Sequence, residues 1–129
     1  MRETHMAIRD AIGASVRPFL RDGEQLQAVI GAQTASAYVA GIAGALPFLG
    51  LNRYRIIAAT TQRILVLDAG KLSMSKARSI VTELPRNTPL GQPSGVWHVI
   101  PIHGEKLRVP KRFFKDVEEA NAGGMSGHP

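Results

Sequence analysis

No charged residue occurs between Glu24 and Arg53, and any fold for this chain must find a place for that gap. Within it, Ala35 to Leu51 is an uncharged run of 17 residues, rich in alanine, glycine and leucine. As a helix it would reach roughly 26 Å at about 1.5 Å per residue. The hydrocarbon core of a bilayer is about 30 Å thick. Val39, Ile42, Leu46, Phe48, Leu49 and Leu51 favour insertion by only about 0.3 to 0.6 kcal/mol each. Pro47 and three glycines oppose a continuous helix. The run is therefore marginal as a membrane span. It reads instead as an apolar excursion, packed on a soluble core or lying on a membrane surface. Ala37, Gly41 and Ala45 form a row of small residues that would let two helices approach closely.

The residues on either side of the excursion give clear local signals. Residues 4–17 read as a helix, with Ile8, Ile12 and Val16 recurring every four positions. Pro18 should end it, because the residue before a proline avoids the α region. Asp22-Gly23 is a turn signal. Strands follow at 25–32, 53–60 and 63–68, the last two joined by Thr61-Gln62 as a tight hairpin. Residues 78–84 alternate, and 85–95, with three prolines and two glycines, read as a loop. Residues 96–102 form a strand whose Pro101 suggests a sheet edge. After the Gly104 turn, residues 106–109 alternate with Leu107 and Val109 inward. Pro110 suits the start of a final helix with Phe113, Phe114, Val117 and Ala120 on one face. Asp116, Glu118 and Glu119 then fall in its later half, slightly against the macrodipole. Phe113, Phe114 and Trp97 are the expected aromatic core. Residues 121–129, with Gly123-Gly124 and Gly127, read as a disordered tail.

These elements suggest a small β-barrel or sandwich with a helical lid. A chain of 129 residues with 44% apolar content supports one core. Thr60-Thr61-Gln62-Arg63-Ile64-Leu65-Val66-Leu67 resembles the Thr-x-x-Arg-apolar signature of bacterial PH-like (pleckstrin-homology-like) domains. Gly23-Glu24 is similar to the opening of those domains, and the Phe113/Phe114 helix stands where their C-terminal helix caps the barrel. The resemblance covers residues 22–120. It implies a mainly β fold with α: a PH-like split β-barrel of about seven strands, capped by a C-terminal helix and preceded by an N-terminal helix at 1–21. The chain departs from the family pattern in two ways. Its apolar insertion at 34–52 makes the first connection long, and Trp97 stands on a strand, whereas the tryptophan of eukaryotic PH domains is in the closing helix.

Chemistry is sparse. The chain has no cysteine, which removes thiolate nucleophiles, disulfides and Cys-held metals. His98, His103 and Glu105 have no spacing that demands a metal, and no nucleophile or phosphate-loop motif occurs. No catalytic residue, metal or cofactor is therefore expected, and an enzyme is the least favoured class.

Charge is more informative. The net charge is +6 and the isoelectric point about 10.3. Residues 51–115 carry twelve basic and three acidic residues, so the excess lies on the strands and loops after the excursion. If Thr60 faces Arg63, Arg55 lies opposite Asp68 and Arg53 opposite Gly70, beside Lys71. Arg53, Lys71, Lys76 and Arg78 then gather at the end of the sheet where the excursion leaves and returns. The resemblance implies that this open end is where phospholipid headgroups bind, when they bind at all. Arg53, Arg55, Lys71, Lys76 and Arg78 are accordingly the candidate contacts for an anionic headgroup or acidic partner. Tyr38, Val39, Ile42, Leu46, Phe48 and Leu49 are the candidate membrane or partner contacts. Lys106, Arg108, Lys111, Arg112 and Lys115 read as the outer face of the last strand and helix.

The expected function is a non-enzymatic binding module at an anionic membrane surface or on a protein partner. Glu3 and Asp10 interrupt the opening residues, which do not read as a secretory leader. The expected location is cytoplasmic, at the inner face of the plasma membrane. Nucleic-acid binding through the basic surface is the alternative, although 5% aromatic content offers few stacking platforms. Homo-oligomerisation through Tyr38 to Leu51 is another.

Overall fold

A computed structural model describes residues 2–35 and 52–126. Tyr38, Val39, Ile42, Leu46, Phe48 and Leu49 lie outside the described residues. Helix α1 (Arg2–Val16) leads into a short 3-10 turn (Arg17–Phe19) containing Pro18. Strands β1 (Leu26–Gln33), β2 (Tyr54–Thr60), β3 (Arg63–Gly70), β4 (Ser79–Pro85), β5 (Trp97–Ile102) and β6 (Glu105–Pro110) follow. A second 3-10 turn (Lys111–Phe113) opens into helix α2 (Phe114–Ser126).

The six strands form one antiparallel sheet in the order β4-β3-β2-β1-β6-β5, curled into a half-barrel. Among the described residues there is one strand fewer than the seven expected. The seventh was implied by the family resemblance, and residues 36–51 lie outside the described ones. β1 pairs with β2 along its length, from Leu26 opposite Thr60 to Gln33 opposite Tyr54. Among the described residues its pairing with β6 is Gln33 opposite Arg108. β5 stands at the sheet edge, where Pro101 lacks no required donor.

The core sits on both sides of the central strands. Ile56 and Ala58 face one way with Leu67 and Leu65 across the ladder, while Ile57 and Ala59 face the other with Val66 and Ile64. All eight side chains are buried. This is why β2 and β3 read as continuous apolar runs rather than alternating ones. Full burial of each large side chain contributes about 1.5–3 kcal/mol before chain entropy is counted. The second 3-10 turn adds buried Phe113, α2 packs on β1 and adds Val117 and Ala120, and α1 adds Ile12 and Val16.

Three further expectations fail. Trp97 is 37% exposed and belongs to no core, because it stands on the outer side of an edge strand beside exposed Val96 and Val99. Residues 121–126 are helical rather than disordered. Gly123 and Gly124 do not break α2, because they give Arg86 room. A Cβ at Gly124 would stand 2.9 Å from the Arg86 carbonyl oxygen. The Arg86 guanidinium donates to the Ala120 carbonyl at 2.9 Å, and Asn121 accepts from Leu90 N at 2.8 Å and donates to Gly91 O at 2.9 Å. Finally, α2 starts at Phe114, so Asp116 falls in its first turn, where the macrodipole favours a carboxylate. It is buried there and accepts from Arg9 of α1 at 3.1 Å.

Candidate functional site

One end of the sheet collects the C-terminus of β1, the N-terminus of β2, the β3–β4 loop and the β5–β6 turn. Cross-strand partners Arg108, Gln33, Tyr54 and Gly70 form a row over β6, β1, β2 and β3. Neighbouring strands are about 4.8 Å apart. Arg53 and Lys71 lie one residue beyond this row, and Lys106 two. The pairing of Arg55 with Asp68 is as expected, but Gly70 stands opposite Tyr54 rather than Arg53. A register shift between Tyr54 and Arg55 accounts for the difference.

The root of the excursion is tied by hydrogen bonds. Thr34 N donates to Arg53 O at 2.9 Å, and Arg53 N donates to Thr34 Oγ1 at 2.9 Å. Ala35 N donates to the buried Asn52 Oδ1 at 3.1 Å, and Gln33 Nε2 donates to Ala35 O at 2.8 Å. Arg108 reaches from β6 to donate to Thr34 O. The chain thus departs at residue 35 and returns at residue 52 from a single point on the ladder.

The β3–β4 loop is held from inside. Met74 is buried against Gly31 and Phe113, and Arg112 points a guanidinium nitrogen at its sulfur, 3.5 Å away. Ala77 is buried and its N–H donates to Ser15 Oγ of α1 at 2.9 Å. Ser73 and Ser75 share a hydroxyl hydrogen bond of 2.7 Å. Gly70 has φ +85°, and Arg78 lies over it, with Nε 2.8 Å from where a Cβ would stand. A side chain at residue 70 would displace that guanidinium.

On this anchored frame Lys71, Lys76 and Arg78 are exposed, and no carboxylate among the described residues pairs with them. Arg53 is half-buried and donates to Asn52 O at 3.2 Å. Arg55 differs from the other candidates. Its guanidinium meets Asp68 at 2.6 Å and grips Glu105 through two bonds of 3.1 and 3.0 Å. With a side chain only 12% exposed and two acidic partners, it serves the scaffold. Next to Lys71 stands Leu72, 87% exposed, which no hydrophobic pattern in the sequence had marked.

The opposite end holds a charge cluster that sequence reasoning also missed. Arg63 donates to Glu24 through Nε at 2.9 Å and a terminal nitrogen at 3.0 Å, to Glu83 at 2.5 Å, and to Phe19 O at 3.2 Å. Thr60 donates to Glu24 at 2.6 Å and accepts from Gln62 N and Arg63 N, closing the β2–β3 turn. The Arg63 hydrogen bonds, helped by those from Arg21 N and Thr60, outweigh burial and hold the Glu24 carboxyl at about 2. The same contacts raise the Arg63 guanidinium and lower Glu83. The residues that carried the family resemblance, Gly23-Glu24 and Thr60-x-x-Arg63, therefore meet in one place. The signal was present as two motifs, but nothing in a linear reading joined them.

His98, His103 and Glu105 do not form a ligand set. His98 Nε2 lies 2.7 Å from Leu90 O with its ring edge-on to Phe114, His103 occupies the β5–β6 turn at φ 54°, and Glu105 is held by Arg55. No three His, Cys, Asp or Glu side chains among the described residues are grouped to hold a metal. A cleft of about 310 Å³ between α1, α2 and β1 has walls of mixed charge, including Arg9, Arg17, Asp10 and Glu119. Among the described residues no helix is long and apolar enough to cross a membrane. No protein-family model, curated protein or solved structure matches the chain.

Proposed function

We propose that the protein is a non-enzymatic binding module of PH-like type, whose loop end engages an anionic partner at the cytoplasmic face of the membrane. The observation that carries the reading is the unmatched trio Lys71, Lys76 and Arg78, held on an anchored loop beside the root of the apolar excursion. Exposed cations near an anionic surface are worth about 1 kcal/mol each. The PH-like assignment is supported by the meeting of Glu24 with Thr60 and Arg63. Nucleic acid would draw on the same charge, but the only large aromatic exposed among the described residues is Trp97, on the β5 edge.

The test is a titration of the full chain with polyglutamate and with phosphatidylserine vesicles at two salt concentrations. Binding should weaken with salt. K71Q/K76Q/R78Q should lose at least about tenfold in affinity, where 1.4 kcal/mol is tenfold. R17Q/K111Q/K115Q removes the same charge from exposed positions away from that end and should retain most of the binding. Equal losses in the two triple variants would overturn the proposal.

A further inference from the structure

Resting on that reading, we infer that the anionic partner is a lipid bilayer and that Leu72 is the side chain that enters it. Leu72 is the most exposed large hydrophobic side chain among the described residues, at 87%. It is not exposed because its loop is loose. Two positions after it, Met74 is buried against Gly31 and Phe113, and Ala77 is fastened to α1 through Ser15. Ser73 and Ser75 close the turn between them. The loop therefore presents Leu72 outward at little ordering cost on binding.

The surroundings select the occupant. Lys71 is adjacent, and Lys76 and Arg78 return along the same loop, all exposed and without carboxylate partners among the described residues. A stable protein interface buries about 800 Å² on each partner around aromatic or arginine anchors seated in pockets. Among the described residues, Leu72 on the cationic loop has no such core beside it. A bilayer asks for less: an apolar tip that crosses the headgroup layer and basic side chains that remain at lipid phosphates. Lysine and arginine stems can extend beside the tip while their charged heads stay at that level.

The absence of cysteine makes the test clean, because L72C gives a single attachment point for an environment-sensitive fluorophore. The labelled full chain is mixed with phosphatidylcholine–phosphatidylserine vesicles, and unlabelled wild type and L72S are compared by cosedimentation. A blue shift on vesicles, about a tenfold weaker partition of L72S, and unchanged binding of L72S to polyglutamate are the expected results. Vesicle binding with no blue shift and no loss in L72S would overturn the inference while leaving the cationic loop as the binding element. Binding to polyglutamate but not to vesicles would also overturn it, in favour of an acidic protein. Failure to bind either probe would remove the inference together with the reading beneath it.

Discussion

At the β2–β3 turn every charged side chain in the cluster meets an opposite charge: Glu24 and Glu83 share Arg63, and Arg21 reaches Glu83 at 3.5 Å. At the other end of the same two strands, Arg55 consumes the local carboxylates Asp68 and Glu105, and Lys71, Lys76 and Arg78 are left without any. At the first end the Glu24 side chain is fully enclosed and Arg63 nearly so, with Glu83 and Arg21 at the rim; at the second, Lys71, Lys76 and Arg78 are open to solvent. Both ends are rich in charge, so composition does not distinguish them. What differs is whether the charge is spent within the molecule. Matched and buried charge fixes one geometry, whereas unmatched and exposed charge remains available to something outside.

The sharpest way to break this contrast is R63A, which strands a buried carboxylate. Removing one partner of a buried pair costs about 3–5 kcal/mol, and urea denaturation should show a loss of that size. Acid probes the same cluster without mutation. The Glu24 carboxyl falls from its ordinary 4.5 to about 2 in the folded chain. Its contribution is complete above pH 4.5 and drains away as pH falls toward 2. The loss is on the order of 3 kcal/mol, and E24Q should flatten that part of a stability–pH curve. T60V removes a hydroxyl that serves Glu24 and two backbone donors, and should cost about 1–3 kcal/mol in the same assay. K71Q/K76Q/R78Q sits at the bottom of the scale. Exposed substitutions of this kind change stability by about 0.5 kcal/mol or less each, so its melting curve should nearly overlay the wild type. A large destabilisation there would mean the cationic end is structural after all.

Much of the scaffold was legible along the chain because its causes are local. Pro18 stops α1, Thr61-Gln62 turns the hairpin, and Pro101 marks an edge, each through the backbone of one or two residues. The errors share the opposite property. Gly123-Gly124 read as part of a disordered tail, yet the pair is a clearance for Arg86, which lies outside α2. Trp97 looked like core because of its size, but its exposure follows from strand order. Of the candidate site, the gathering of cations could be derived from hairpin register. That Arg55 would be taken by Glu105, 50 residues away, could not. Nor could the solvent-facing position of Leu72, which depends on how Met74 and Ala77 pin the loop around it.

The double clasp between Thr34 and Arg53 has a consequence for engineering. Because both strands are already zipped up to that clasp, whatever is strung between residues 35 and 52 begins and finishes at one doorway. Lengthening such a span adds only a slowly growing closure entropy. The ladder below the clasp would thus carry a different insert between residues 35 and 52 with its own hydrogen bonds intact.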